Sequence, residues 1–131
     1  MSQEVSVKPM EFLGFAGLGL SVLLHMIFVA ITLGAGLVTA IYRYLAYRRS
    51  DPSLEVFARR GFRVMIVTEL FSGVWGTIIT VFLAGFFPGL VALATNVLFT
   101  PIAVAIASIM IRIPSIAIFW YTWGRISPKI H

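Results

Sequence analysis

Three long apolar runs constrain this chain more than any other feature of its sequence. They cover about residues 12–45, 62–87 and 101–123, and a membrane-spanning helix needs about 20 apolar residues. The chain is 60% hydrophobic and 11% charged, whereas a soluble domain is about 25% charged. We therefore predict an all-α membrane protein, one domain over 1–131, with three transmembrane helices at about 20–44, 62–87 and 101–123.

The segments beside these spans predict shorter helices. Residues 12–45 are too many for one upright span, so we predict an interfacial helix near 9–19 and a break before the span. The apolar stretch "PGLVALATNVLFT" is too short to cross and predicts a second helix at the membrane surface. The loop "SDPSLEVFARRGFR" predicts a separate short helix, with Ser50 or Asp51 as its cap and Pro52 in its first turn.

Basic residues are concentrated at two places, which predicts the orientation of the chain. Eight of the ten lie at the facing ends of the first two runs, between these runs, or after the third: Arg43, Arg48, Arg49, Arg59, Arg60, Arg63, Arg125 and Lys129. Such an asymmetry places these segments in the cytoplasm and the N-terminus outside. The net charge of +5 therefore indicates anchoring to membrane lipid, not nucleic-acid binding, and the predicted location is the cell membrane. An apolar run this long does not favour a signal peptide.

Each span carries small and polar residues along one helical face, at spacings of three and four. The simplest explanation is close packing between helices, since small residues let backbones approach. The three faces comprise His25, Phe28, Thr32, Gly36 and Thr39; Glu69, Ser72, Gly73, Gly76, Thr77 and Thr80; and Ala105, Ser108, Arg112 and Ser115.

Three ionisable residues within the spans require partners, because each costs roughly 2.5–3.5 kcal/mol at a helix centre. Glu69 and Arg112 could form an interhelical salt bridge. The depth of each residue in the membrane, estimated from the nearest arginine, instead separates Glu69 from Arg112. His25 lies about 27 Å from Arg43 along a helix and Arg112 about 20 Å from Arg125, whereas Glu69 lies only about 9 Å from Arg63. This estimate puts His25 and Arg112 in the outer half of the membrane and Glu69 in the inner half.

An imidazole and a guanidinium at one depth match the two needs of haem. Its iron takes a neutral imidazole nitrogen and its propionates take a cation, so we predict haem b with His25 as metal ligand and Arg112 beside a propionate. The predicted cofactor site also includes Thr32, Gly36, Gly73 and Gly76. Met110 is the candidate sixth ligand, and Met26 is the alternative. A lone histidine on an apolar helix is, however, more often a hydrogen-bonded core residue.

Four segments resemble subunit I of the cytochrome bd quinol oxidases. "HMIFVAITLGAGLVTAIY" resembles that family's first transmembrane helix and "LFSGVWGTIITVF" its second span. "LFTPIAVAIA" resembles the entry to the third span and "WYTWGRISPKIH" its exit. The resemblance covers about residues 10–131 and only the N-terminal portion of the family's subunit.

The resemblance implies that His25 is an axial haem ligand, and it matches His131 to a histidine just before the fourth span. The family's third span carries two glutamates tied to oxygen reduction. They fall near Ala105 and near Ile111 or Arg112, where this chain has no acid. The resemblance therefore implies haem binding and electron transfer more than oxygen reduction, with Glu69 as a candidate for proton transfer or charge pairing.

These observations predict a membrane-bound b-type cytochrome subunit that transfers electrons within a respiratory complex. It would be an electron-transfer subunit more than an oxidase by itself. One alternative is a haem-free structural or quinone-contacting membrane subunit, and another is a small transporter in which Glu69 and Arg112 line the pathway. Because three spans leave polar faces open, we expect a homodimer or other membrane subunits as partners, and possibly quinone.

Overall fold

Four α-helices make up the part of the chain that the structure, a computed structural model, describes. It describes residues 8–131; residues 1–7, and with them the N-terminal end predicted to lie outside, are beyond that range. The helices are α1 (Pro9–Arg49), α2 (Pro52–Phe86), α3 (Pro88–Val97) and α4 (Phe99–Thr122). α1, α2 and α4 are long and apolar enough to cross a membrane. The predicted all-α fold, three long helices and a short one, is confirmed.

Two predicted helix boundaries are wrong. α1 runs for 41 residues without a break at Gly19, and the helix predicted in the 50–63 loop is simply the start of α2. The reason is the pairing of α1 with α2 over nearly their whole length. Gly14 and Gly17 face Phe86 and Phe82 of α2, and these close contacts hold this part of α1 against its neighbour.

A two-residue turn joins α1 to α2 and makes them antiparallel. Ser50 ends α1 in the left-handed conformation, with φ 51°, and Asp51 caps α2 by accepting a 2.8 Å hydrogen bond from the Ser53 amide. The predicted cap at Asp51 and the proline in the first turn are confirmed. The pairing keeps a constant register along the hairpin, where Arg43 faces Glu55, Thr39 faces Gly61, Thr32 faces Thr68 and Gly17 faces Phe82.

α4 packs against this hairpin at one end. The buried ring of Phe62 contacts the rings of Phe119, Trp120 and Trp123, with centroids 4.9, 5.8 and 5.7 Å away. Trp123 also donates a 2.6 Å hydrogen bond from Nε1 to Glu55, whose other oxygen pairs with Arg43. Elsewhere every residue of α4 is at least partly exposed. The helix is therefore fastened near its C-terminus and leaves a space beside α2.

Candidate functional site: a groove between α2 and α4

The space between α2 and α4 is a groove of about 1080 Å³, and the floor includes His25 of α1. α2 contributes a wall of small residues, which are Ser72, Gly73 and Gly76. α4 contributes an apolar wall, which consists of Ile109, Ile113, Ile116 and Ala117. Its volume lies slightly above the usual range for cofactor pockets, about 300–1000 Å³. An apolar groove with a few polar groups is the usual form of such a site.

One nitrogen of the His25 imidazole is hydrogen-bonded, and the other is available to a ligand. Nδ1 lies 2.9 Å from the carbonyl oxygen of Ser72. A carbonyl can only accept, so Nδ1 carries the proton and the neutral ring has its lone pair on Nε2. This hydrogen bond also fixes the orientation of the ring, as is usual for histidines that bind metals. Nε2 is therefore the nitrogen through which a neutral His25 would bind an iron.

Gly76 lets the imidazole approach α2. A Cβ at position 76 would lie 3.1 Å from Cε1 and 3.9 Å from Nε2 of His25. Such a contact is tighter than packed side chains normally make, so a larger residue would displace the ring. At Gly73, by contrast, a Cβ would meet no atom within 4 Å. Gly76 therefore serves the histidine, and Gly73 keeps the groove wide.

Glu69 and Arg112 form an ion pair across the groove, with Nη2 and Oε1 2.8 Å apart. The depth estimate that separated them is wrong. It placed the membrane boundary at Arg63, but Arg63 lies inside α2, which begins eleven residues earlier. Glu69 is only one helical turn from Ser72 and hence from His25. The Glu69 side chain is 14% exposed and that of Arg112 is 49% exposed, so the pair opens toward one side of the groove.

The other predicted site residues lie elsewhere. Thr32 is buried between α1 and α2, where its hydroxyl lies 2.9 Å from that of Thr68. Gly36 faces Met65, whose Sδ would be 3.1 Å from a Cβ at that position. Met110 is 70% exposed and Met26 is also exposed, and neither lines the groove. Gly73 and Gly76 do line it, together with His25, Glu69 and Arg112.

Arg63 is a groove residue that is absent from the predicted site. It was assigned to the basic loop, yet the structure places it in the groove wall. Its spacing was a usable signal, because Arg63, Ile66, Leu70, Gly73 and Thr77 recur at intervals of three and four on α2. His131, in contrast, lies outside the groove. Its Nε2 lies 2.9 Å from the Phe119 carbonyl, and its ring stacks on Phe119 at 3.9 Å between centroids.

These residues fit a haem better than a metal ion held by protein ligands alone. Within residues 8–131, no group of three or more His, Cys, Asp or Glu side chains could hold an ion. Haem iron needs only axial ligands, and the macrocycle needs apolar walls and a cation for its propionates. His25, the isoleucines of α4 and Arg112 supply these three kinds of contact in one groove.

The helices and the groove together define a multi-pass membrane protein with a site inside its helical bundle. A model of the cytochrome bd terminal oxidase subunit I family matches residues 16–131. The chain belongs to this family, and the resemblance seen in four sequence segments is confirmed. Membership of this family implies that the protein is part of a membrane complex with other subunits. No curated protein and no solved structure gives a significant match.

Proposed function

We propose that this chain is a b-type cytochrome subunit that binds haem b in the α2–α4 groove and transfers electrons within a respiratory membrane complex. The observation that supports this most directly is the Ser72 carbonyl at 2.9 Å from Nδ1 of His25. It directs the proton to Nδ1 and leaves Nε2 of this groove-lining histidine as a ligand. When bound, haem supplies an iron that alternates between two oxidation states.

The chain's residues would hold and tune this group. His25 would be the iron ligand, and the apolar wall of α4 would keep water from one face. Arg112 would contact a propionate, since it lies about one turn of helix from His25 in depth and is half exposed. Met110 and Met26 do not line the groove, so His25 is the ligand that this proposal assigns. Oxygen reduction is not part of the proposal, because the third-span acids of the family are absent here.

The residues around the groove bear on the orientation of the chain and on its partners in the membrane. The arginine-rich end of the hairpin would face the cytoplasm, by the charge asymmetry of the loops. The open sides of α3 and α4, where nearly all large apolar residues are exposed, would contact lipid and either a second copy or other membrane subunits of the complex.

The test compares the two histidines of the chain. His25→Ala should remove the haem from protein purified in mild detergent, because an axial bond holds the iron. His131→Ala is the matched control and should keep it, since His131 lies outside the groove. The measurement is the reduced-minus-oxidised visible spectrum, with haem content per protein. Added imidazole should restore part of the signal to His25→Gly.

A correctly folded His25→Ala protein with full haem content and an unchanged spectrum would contradict the proposal. Wild-type protein, taken from its own membrane, that contains no haem would instead favour the haem-free structural subunit.

A further inference from the structure

A second cavity lies at the Trp123 end of the bundle and is built differently from the groove. It has a volume of about 230 Å³ and is lined by three arginines and three aromatic residues: Arg59, Arg63, Arg125, Trp120, Tyr121 and Trp123. We call this the arginine pocket. It shares Arg63 and Trp120 with the α2–α4 groove, so a cationic cavity adjoins an apolar one.

The charge of the arginine pocket is not neutralised within the described chain. The salt bridges in residues 8–131 are Arg43–Glu55 and Arg112–Glu69, so none of the pocket's arginines has a carboxylate partner there. Glu55, on the same turn of α2 as Arg59, is already engaged by Arg43 and by Trp123 Nε1. Three guanidinium groups that converge without an anion form a site that attracts one.

The aromatic rings hold these guanidinium groups in place. Arg59 lies over the Trp123 ring at 5.6 Å from the centroid, and Arg125 lies over Tyr121 at 4.0 Å. Such cation–π contacts restrict the side chains and leave their N–H groups for an acceptor. A planar guanidinium binds phosphate oxygens in a bidentate manner. The pocket is thus preorganised for a phosphate-type anion.

The location indicates which phosphate it takes. Trp and Tyr residues concentrate at the membrane–water interface, at the level of lipid headgroups. Basic pockets between transmembrane helices at this level bind anionic headgroups. Beside the pocket, α4 exposes apolar residues such as Ile118, against which acyl chains can lie. A free phosphate ion would use only the cationic half of this arrangement.

We propose that the arginine pocket binds the phosphate of an anionic membrane phospholipid, with the acyl chains along the exposed face of α4. Arg59 and Arg125 hold the phosphate, and Arg63 marks the border with the groove. This proposal does not depend on the haem proposal, because its occupant needs no iron, although Arg63 and Trp120 line both cavities. Bound lipid would fasten α4 to the hairpin at the end where the two already touch.

The test uses two double variants with the same change in charge. Arg59→Gln/Arg125→Gln removes two pocket arginines, and Arg48→Gln/Arg60→Gln removes two exposed arginines near the same end that do not line the pocket. Native mass spectrometry of delipidated protein would be titrated with phosphatidylglycerol, phosphatidylcholine and inorganic phosphate. Lipid-dependent thermal stabilisation gives a second measurement.

We expect phosphatidylglycerol to bind wild-type protein more tightly than phosphatidylcholine. The pocket variant should bind it roughly 25-fold more weakly, at about fivefold for each arginine, and the control should keep most of the affinity. Equal losses in the two double variants, or equal binding of both lipids, would overturn the proposal. Inorganic phosphate that stabilises wild-type protein as much as the lipid does would also overturn it. If Arg59→Gln disturbs packing on Trp123, the single variant Arg125→Gln is tested by the same criteria.

Discussion

The contact between α1 and α2 differs from the contact between α2 and α4, although all three helices carry lines of small and polar residues. In the hairpin these lines face each other, and the buried Ser21, Thr32, Thr39, Thr68 and Ser72 lie along its seam. Between α2 and α4 the lines meet at the Glu69–Arg112 ion pair, and the other contact is made by the aromatic rings around Phe62.

The difference teaches that a line of small residues has two structural uses. Without a hydrophobic force between helices in lipid, close backbone contact supplies the packing energy, and the hairpin uses its glycines and threonines in this way. On α2, Gly73 faces the groove instead, and the absence of a side chain there creates room, whereas Gly76 admits the His25 ring. Substitutions at these helix contacts test this contrast.

Phe62 is the main contact between the hairpin and α4, with 2% of its surface exposed. Phe62→Ala should lower the free energy of unfolding by about 3 kcal/mol, since large-to-small changes of this kind cost about 3–5 kcal/mol and lipid offsets part of the loss. The measurement is equilibrium unfolding in mixed micelles. Phe99→Ala, at a residue 66% exposed on α4, is the control and should change little. Equal effects would show that α4 is not fastened at Phe62.

Gly76 and Gly34 compare a glycine that lies against His25 with a glycine that faces open space. Gly76→Val should displace the His25 ring, cost about 1–3 kcal/mol through overpacking and reduce haem content. Gly34→Val should leave haem content unchanged, because a Cβ at position 34 meets no atom within 4 Å. Haem content and unfolding would be measured on the same preparations. A Gly76→Val protein with wild-type haem would place the cofactor elsewhere.

The Glu69–Arg112 pair should set the reduction potential of a haem bound beside it. Arg112→Gln should lower the midpoint by tens of millivolts, since it removes a positive charge that disfavours oxidised iron, and Glu69→Gln should raise it. The double variant keeps the net charge of the pair and should lie near wild type. Redox titration followed in the visible spectrum measures all three. Shifts of the same sign in both single variants would exclude this electrostatic account.

Asp51 tests the turn that joins the two helices of the hairpin. The side-chain hydrogen bond from Ser53 lowers the pKa of Asp51 below its ordinary value of 3.8. A lowered pKa means that the cap stabilises the fold at higher pH and loses this effect as the pH falls through the shifted value. Thermal unfolding below about pH 4 should therefore show a small loss of stability in wild type. Asp51→Asn, which caps without titrating, should show less of it.

The class of this protein and most of its helices follow from its sequence. Apolar run length required membrane helices, and the short run after Phe87 could not cross, because a span needs about 20 residues. His25 was predictable as a special residue because an imidazole in hydrocarbon needs a partner. Helical spacing also grouped Glu69 with Gly73 and Gly76, which the structure places in one groove wall.

Only the tertiary structure decided which faces meet. Depth counted from the nearest arginine separated Glu69 from Arg112, because the sequence does not show that α2 begins at Pro52 and carries Arg63 inside the bundle. The helical pattern also could not show that Thr32 and Gly36 face α2 while Gly76 faces His25, since small residues suit helix packing and cofactor space equally well. The register of the α1–α2 hairpin settles that choice, and the register is set by contacts between residues far apart in the chain.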